Sequence, residues 1–294
     1  MNKKRTSYCK WGKNMKIEFT KMEGCGNDYV YINGFTQNVP EEKKVEFVQR
    51  VSDRHFGIGS DGVIFINPSK IADFEMEMWN ADGTRAEMCG NGIRSVAKYV
   101  YDKKLTTNEE ITIESFGKIK YITIYPENNE AKLIKVDMGE PILEASLVPV
   151  NSDNEQVVDE SIVVKDNEYK MTCVSMGNPH AVVFLDPDDL KIEEIGPYFE
   201  NHERFPKRTN TEFVKIIDKK NVRMRVWERG TGETLACGTG CCATTVACIL
   251  NGLTDDEITV HVLGGDIIVK WDRESNHIFM TGPAKIVFEG SVEL

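Results

Sequence analysis

Two cysteines sit in near-identical settings: Cys89 closes the run WNADGTRAEMC before the turn Gly90-Asn91-Gly92, and Cys237 closes WERGTGETLAC before Gly238-Thr239-Gly240. They lie 148 positions apart (237 − 89), and so do Trp79 and Trp227, which open the two runs. Each turn leads into a stretch that reads as a helix, so each thiol is expected at a helix N-terminus. There the unpaired N–H groups and the positive end of the dipole favour thiolate over thiol. A favourable terminus contributes about 2 kcal/mol, so the dipole alone predicts thiols poised near neutrality, which suits a general base. Two such groups close together hold about one proton between them, because the first ionisation opposes the second. One is then base while the other is acid, and on opposite faces of a carbon they invert it. Backbone N–H groups at Gly90, Asn91, Gly238 and Thr239 are expected to converge on one carboxylate and to stabilise the carbanion beside it. The residues thus read as a two-thiol racemase or epimerase of an amino acid.

The elements that must place these thiols read as a duplication. A second echo lies upstream, where Gly26-Asn27-Asp28 enters the apolar run 29–32 and Gly177-Asn178-Pro179-His180 enters 181–185. Short β-rich runs dominate both halves, among them 17–22, 63–66, 74–79, 118–125 and 132–138, then 171–175, 213–217, 222–227, 266–271 and 277–281. Helical patterns are few: 41–54, with acids in its first turn, and 90–104 and 238–250, which follow the cysteines and are apolar enough to be buried. The expected fold is α+β, with two pseudo-symmetric domains, each a curved, mostly antiparallel sheet or barrel wrapped around a central helix. The expected division is 1–14 as a disordered or extended N-terminal segment, 15–134 as the first domain and 135–283 as the second. The last strand, 284–294, is placed as returning to the first domain, and the polar stretch 151–160 as a loop.

The 294 residues carry a net charge of −11 at pH 7, which argues against nucleic acid or an anionic membrane surface as partner. No apolar run approaches the roughly 20 residues that span a bilayer. The first fourteen residues are basic but lack the apolar core of a secretory signal. Eight cysteines without such a signal point to a reducing compartment, and so to the cytoplasm.

The motifs GCGNDY (24–29), RHFGIGSDG (54–62), NADG (80–83), MCGNGIR (88–94), MGNPH (176–180), RTN (208–210), ERGTGET (228–234) and ACGTG (236–240) resemble those of the diaminopimelate epimerases, over residues 15–294. The resemblance implies that Cys89 and Cys237 interconvert LL- and meso-2,6-diaminopimelate without pyridoxal phosphate or metal, so that no cofactor is expected. It also implies a homodimer and a place in lysine and peptidoglycan-precursor synthesis. Carried over by position, Asn27 and Glu228 hold the ammonium at the reacting centre, and Gly90, Asn91, Gly238 and Thr239 its carboxylate. Asn80, Asn178, Asn210 and Arg229 read the distant centre, while His180 and Glu228 adjust the thiol pKa values. Two departures stand out: Gly62 occupies a position where some members carry Gln, and Cys25 one that is often Leu.

Plainer readings stand beside these. Residues 238–243 fit the dinucleotide fingerprint GxGxxA, but outside any clear βαβ unit. Cys237, Cys241 and Cys242 lack the paired spacing of a zinc site. Cys241, Cys242 and Cys248 read as small core residues, and Cys9, Cys25 and Cys173 as bystanders. Asn27, Asn178 and Asn210 suit turns, His180 could satisfy a nearby backbone group, and Trp79 and Trp227 read as matched core anchors. Two other functions remain open: a proline-type racemase of the same architecture, and a thiol redox or metal-binding protein.

Overall fold

The computed structural model describes residues 16–86 and 89–293. The expected segment 1–14, with Cys9, lies outside the described residues. The first half runs β1 (Lys16–Gly24), β2 (Asn27–Asn33), α1 (Glu41–Ser52), β3 (Gly62–Asn67), β4 (Phe74–Asn80), β5 (Arg85–Ala86), α2 (Gly90–Asp102), β6 (Glu110–Ser115), β7 (Lys118–Glu127) and β8 (Glu130–Gly139). The second runs β9 (Glu160–Val164), β10 (Asn167–Ser175), β11 (Pro179–Phe184), α3 (Ile192–Glu200), β12 (Asn210–Ile216), β13 (Asn221–Glu228), β14 (Gly232–Thr234), α4 (Gly238–Leu250), β15 (Glu257–Val262), β16 (Gly265–Trp271), β17 (Ile278–Gly282) and β18 (Lys285–Glu293).

The pairing repeats between halves. β2 runs parallel to β3, β3 antiparallel to β4, and β4 parallel to β6; in the second half β11, β12, β13 and β15 do the same in the same order. Antiparallel ladders then carry β6 through β7 to β8, and β15 through β16 to β17. β8 and β17 pair with each other, Val136 opposite Met280, and join the two sheets. The strand that follows each ladder crosses over: β9 pairs with β10, and β18 with β1. The mixed, sheet-rich architecture around two central helices is the expected α+β class.

The helices α2 and α4 are thirteen residues each and start 148 positions apart. Every residue of α2 from Gly90 to Tyr101 is buried, and Ile93, Val96, Ala97 and Val100 are fully so. Burying an aliphatic side chain of this size contributes about 1.5–3 kcal/mol. Helix α4 achieves the same with small side chains, Cys241, Cys242, Ala243, Ala247 and Cys248, which let the surrounding strands approach closely. These thiols are core residues, and burial pushes Cys242 and Cys248 up to about 12. One continuous apolar core encloses both helices, and a smaller one lies under each of α1 and α3. Trp79 sits in the α1 core with its Nε1 donating to Glu77, 2.9 Å. Trp227 packs at the α3 core and donates to Glu200, 2.7 Å.

Gly62 begins β3 opposite Asn80. A Cβ there would lie 2.0 Å from the carbonyl oxygen of Trp79, so this backbone leaves no room for a side chain. We expect Gly62→Ala to cost about 1–3 kcal/mol through forced backbone displacement. A denaturant melt unchanged from the parent would contradict that close approach.

Candidate active site

Each cysteine is delivered by a hairpin that returns the chain from a tryptophan strand. β5 pairs back on β4, with Trp79 opposite Arg85, and β14 pairs back on β13, with Trp227 opposite Glu233. The next helix then begins, and Cys89 and Cys237 are the N-cap residues of α2 and α4, both with extended backbone. Cys89 Sγ accepts from the Gly92 N–H, 3.3 Å.

The two helix ends meet. Asn91 Nδ2 donates to the carbonyl of Ala236, the residue before Cys237, at 3.4 Å. Gly90 and Gly238 both face the Met280 side chain: a Cβ on Gly90 would lie 2.8 Å from its Cε, and one on Gly238 3.2 Å from its Sδ. The N-terminal ends of α2 and α4 thus lie together beside Met280, an arrangement that favours an anion.

Both thiols are held protonated in this geometry. Asn27 Nδ2 donates to Asp61 Oδ2 at 2.6 Å, which turns its Oδ1 toward Cys89, and the thiol donates to that oxygen at 3.1 Å. Asp61 is itself fixed by Arg54 and by the Asp28 N–H. Burial is the largest influence on Cys89 and raises its pKa, opposed by the N–H groups of Gly92 and Asn91 and by Arg94. Cys237 is pushed further, first by burial and then by the carboxylates of Glu228 and Glu212. The expectation of thiols near neutrality is thus corrected. Desolvation of a buried thiolate exceeds what the helix ends return.

Around Cys237 lies a second polar chain, built on a buried histidine–glutamate pair. His180 and Glu212 are fully buried and meet at 2.7 Å through Nδ1 and Oε1. His180 Nε2 faces Asn178 Oδ1 at 3.1 Å; an amide oxygen only accepts, so Nε2 carries a hydrogen. Asn178 Nδ2 in turn donates to Thr239 Oγ1 at 3.3 Å, and that hydroxyl is 3.5 Å from Cys237 Sγ. Glu228 accepts from Thr234, its charge opposes ionisation of Cys237, and burial raises its own pKa. The counterpart of Glu212, 148 positions earlier, is Ile64. Ile64 Cδ1 would touch a Cβ on Gly92 at 2.8 Å, as Glu212 Oε1 would touch one on Gly240 at 2.6 Å. One cap thus faces a hydrocarbon and the other a carboxylate.

The remaining predicted residues lie outward. Asn210, at the start of β12 opposite His180, donates to Pro179 O at 2.8 Å and accepts from the Arg229 N–H at 2.9 Å. The Arg229 guanidinium bonds the Lys207 carbonyl at 2.9 Å. Asn80 holds its own hairpin through Thr84 Oγ1 at 3.0 Å and, among the described residues, has no hydrogen bond to the other predicted site side chains. Asp61, Glu212 and Arg94 were not picked out from sequence as site residues, although Asp61 and Arg94 fall inside quoted motifs. Among the described residues no group of three His, Cys, Asp or Glu side chains is placed to hold a metal ion.

A family model described as Diaminopimelate epimerase matches residues 19–144 and 172–287, and so takes in both cysteines and all the polar partners above. The chain belongs to the diaminopimelate epimerase family. A protein of that name from Agathobacter rectalis is 56% identical over 286 residues, covering 95% of this chain and 100% of that protein. Another from Methanococcus maripaludis is 54% identical over 279 residues, with 95% and 100% covered. Solved structures share the fold at lower identity. A Bacillus anthracis phenazine biosynthesis protein of the PhzF family matches with TM-score 0.68 and 19% identity, covering 95% of this chain and 99% of that one. A hydroxyproline epimerase from Agrobacterium vitis matches with TM-score 0.67 and 12% identity, covering 97% and 93%. In this diaminopimelate epimerase family member the duplicated fold therefore surrounds two capping thiols with unlike neighbours.

Proposed function

We propose that the chain epimerises 2,6-diaminopimelate between its LL and meso forms, as an isomerase of lysine and peptidoglycan-precursor synthesis, using Cys89 and Cys237 as opposed base and acid. The observation that carries the thiol mechanism is the meeting of two cysteine-capped helix ends around Met280, with Asn91 bonded across to Ala236. The substrate carboxylate is placed on the N–H groups of Gly90, Asn91, Gly238 and Thr239, and its ammonium on Asn27 Oδ1 and Glu228. Asn27 Oδ1 accepts the Cys89 thiol proton, and the Glu228 carboxylate acts electrostatically on Cys237. An ammonium that claims them frees the Cys89 S–H, offsets the Glu228 charge that opposes ionisation of Cys237 and adds positive charge beside the sulfurs, so binding itself promotes the thiolate. Cys89 gives up its proton first, because two carboxylates face Cys237 whereas Arg94 favours the Cys89 anion. Asn80, Asn178, Asn210 and Arg229 are assigned to the distant centre, where a planar guanidinium and amides suit a carboxylate and an ammonium.

Incubation of the protein with LL-diaminopimelate in heavy water is expected to place deuterium at the inverted α-carbon. Turnover of proline and not of diaminopimelate would replace this substrate with a cyclic imino acid. The pH dependence has a definite sign. Both thiol pKa values are raised in the free protein, so the one-thiolate form grows as pH rises, and kcat/KM is expected to climb from neutral into alkaline solution. A kcat/KM that falls over that range would contradict the protonation states described here.

The same reading divides the chain into an N-terminal domain (15–134, joined by the last strand) and a C-terminal domain (135–283), and places it as a cytoplasmic homodimer. The pairing of β18 with β1 supports the return of the last strand to the first domain, while the 134/135 boundary falls inside β8. No helix among the described residues is long and apolar enough to cross a membrane.

A further inference from the structure

Arg94 is wholly buried, in the second turn of α2, and its guanidinium reaches back over the first. Its five N–H groups have five neutral acceptors. Nε donates to Pro283 O at 3.2 Å, Nη1 to Gly90 O at 3.2 Å and Met280 Sδ at 3.7 Å, and Nη2 to Asn91 Oδ1 at 2.9 Å and Cys25 Sγ at 3.8 Å. Its pocket is built for it, since Gly282 and Gly24 would each bring a Cβ within 3.5 Å of the guanidinium. Hydrogen bonding is therefore satisfied while charge is not, because no described carboxylate forms an ion pair with Arg94. The cation also lies at the positive end of α2, and Met280 joins it to the positive end of α4, where dipoles oppose it. A buried charge so placed is costly unless an anion accompanies it.

The other ionisable groups facing this region do not supply that anion. Cys25, Tyr29 and Tyr31 from the first two strands, and Cys241 and Cys242 from α4, are all raised by burial and stay neutral. The carboxylates nearby are engaged elsewhere. Glu228 from β13 accepts from Thr234, Glu212 from β12 meets His180, and Asp28 from β2 pairs with Lys21 and Arg54. Glu23 from β1 accepts from the Gly26 N–H, and Asp266 from β16 meets His261, while Lys120 from β7 adds a second cation beside Cys242.

We propose that Arg94 is a positioning residue that serves as the fixed countercharge of the site: it compensates the thiolate formed at Cys89 and the carboxylate held at the two helix ends during turnover. The inference rests on the two-thiol reading above. Arg94 touches no reacting atom; its effect is carried by charge, and by Asn91, whose amide it orients across to Ala236.

The test is the pH profile of Cys89 alkylation by iodoacetamide, followed by mass spectrometry of the Cys89 peptide, in the parent and in Arg94→Lys, Arg94→Met and Arg94→Gln. Of the two neutral variants, the one with the higher melting temperature is read. It is expected to need a pH about one unit higher for the same Cys89 alkylation rate, about a tenfold loss of thiolate at fixed pH, with kcat for diaminopimelate lowered in parallel. Arg94→Lys, which keeps the charge and loses the fork, is expected to restore most of the alkylation profile. A neutral variant with the parental Cys89 profile overturns the proposal, and so does a lysine variant as shifted as the neutral one. Failure of the epimerase reading would appear elsewhere, as a parent protein that incorporates no deuterium into diaminopimelate.

Discussion

Cys89→Ala and Cys237→Ala are each expected to abolish inversion while leaving exchange of the α-hydrogen with solvent in one isomer only, the opposite isomer for the two variants. The reasoning follows from placement. The thiols cap two helices that approach the same region from different halves of the fold, so on the proposed mechanism each serves one face of the substrate carbon. The remaining thiol can still abstract the proton on its own side, exchange it with water and return it, but no donor waits on the other face. Losing one member of an acid–base pair costs about 10²–10⁴-fold in rate, and inversion needs both members, so kcat for epimerisation should fall by at least that much. Mass spectrometry of LL- and meso-diaminopimelate after incubation in heavy water separates exchange from inversion. If either variant still interconverts the isomers near the parental rate, the two-thiol mechanism is wrong.

The duplication was legible because two tryptophan-to-cysteine runs share one offset, and the structure turns that offset into matched hairpins, N-caps and helices. Other elements were hidden by local chemistry. Helix α3 contains Gly196 and Pro197, residues with weak helical preference, and in the fold Gly196 is needed because a Cβ would lie 2.4 Å from the Trp227 ring. Strands β5 and β14 are too short to show alternation. At the site, Glu212 looked like an ordinary polar residue between Thr211 and Phe213, yet it points inward. The repeat carried the signal that could have found it, since a carboxylate stands where the first half has Ile64. Thiol acidity was misjudged for a different reason. A helix end can be read from a glycine turn, but the burial that outweighs it depends on strands far away in the chain. Arg94 illustrates the same limit, because three of its five acceptors come from β17, the link into β18 and the turn after β1.

His180→Ala is expected to be among the most destabilising single changes near the site. Glu212 is fully buried, its Oε2 has no hydrogen-bond partner among the described residues, and its Oε1 relies on His180. Removing the imidazole strands a carboxylate in the protein interior. Breaking a buried pair from one side costs about 3–5 kcal/mol, which for a chain of this length lowers the melting temperature by about 10 °C. Activity should fall as well, because Asn178 loses the partner that turns its amide toward Thr239 and so toward Cys237. The cause can be isolated by adding Glu212→Gln to the alanine variant. If the penalty is the unpaired charge, the double variant regains a large part of the lost stability; if it is lost packing, the second change leaves the deficit or deepens it. A His180→Ala protein that melts within a degree or two of the parent would show that Glu212 is not held as a charged partner, and the asymmetry between the two cysteine caps would then need another physical origin.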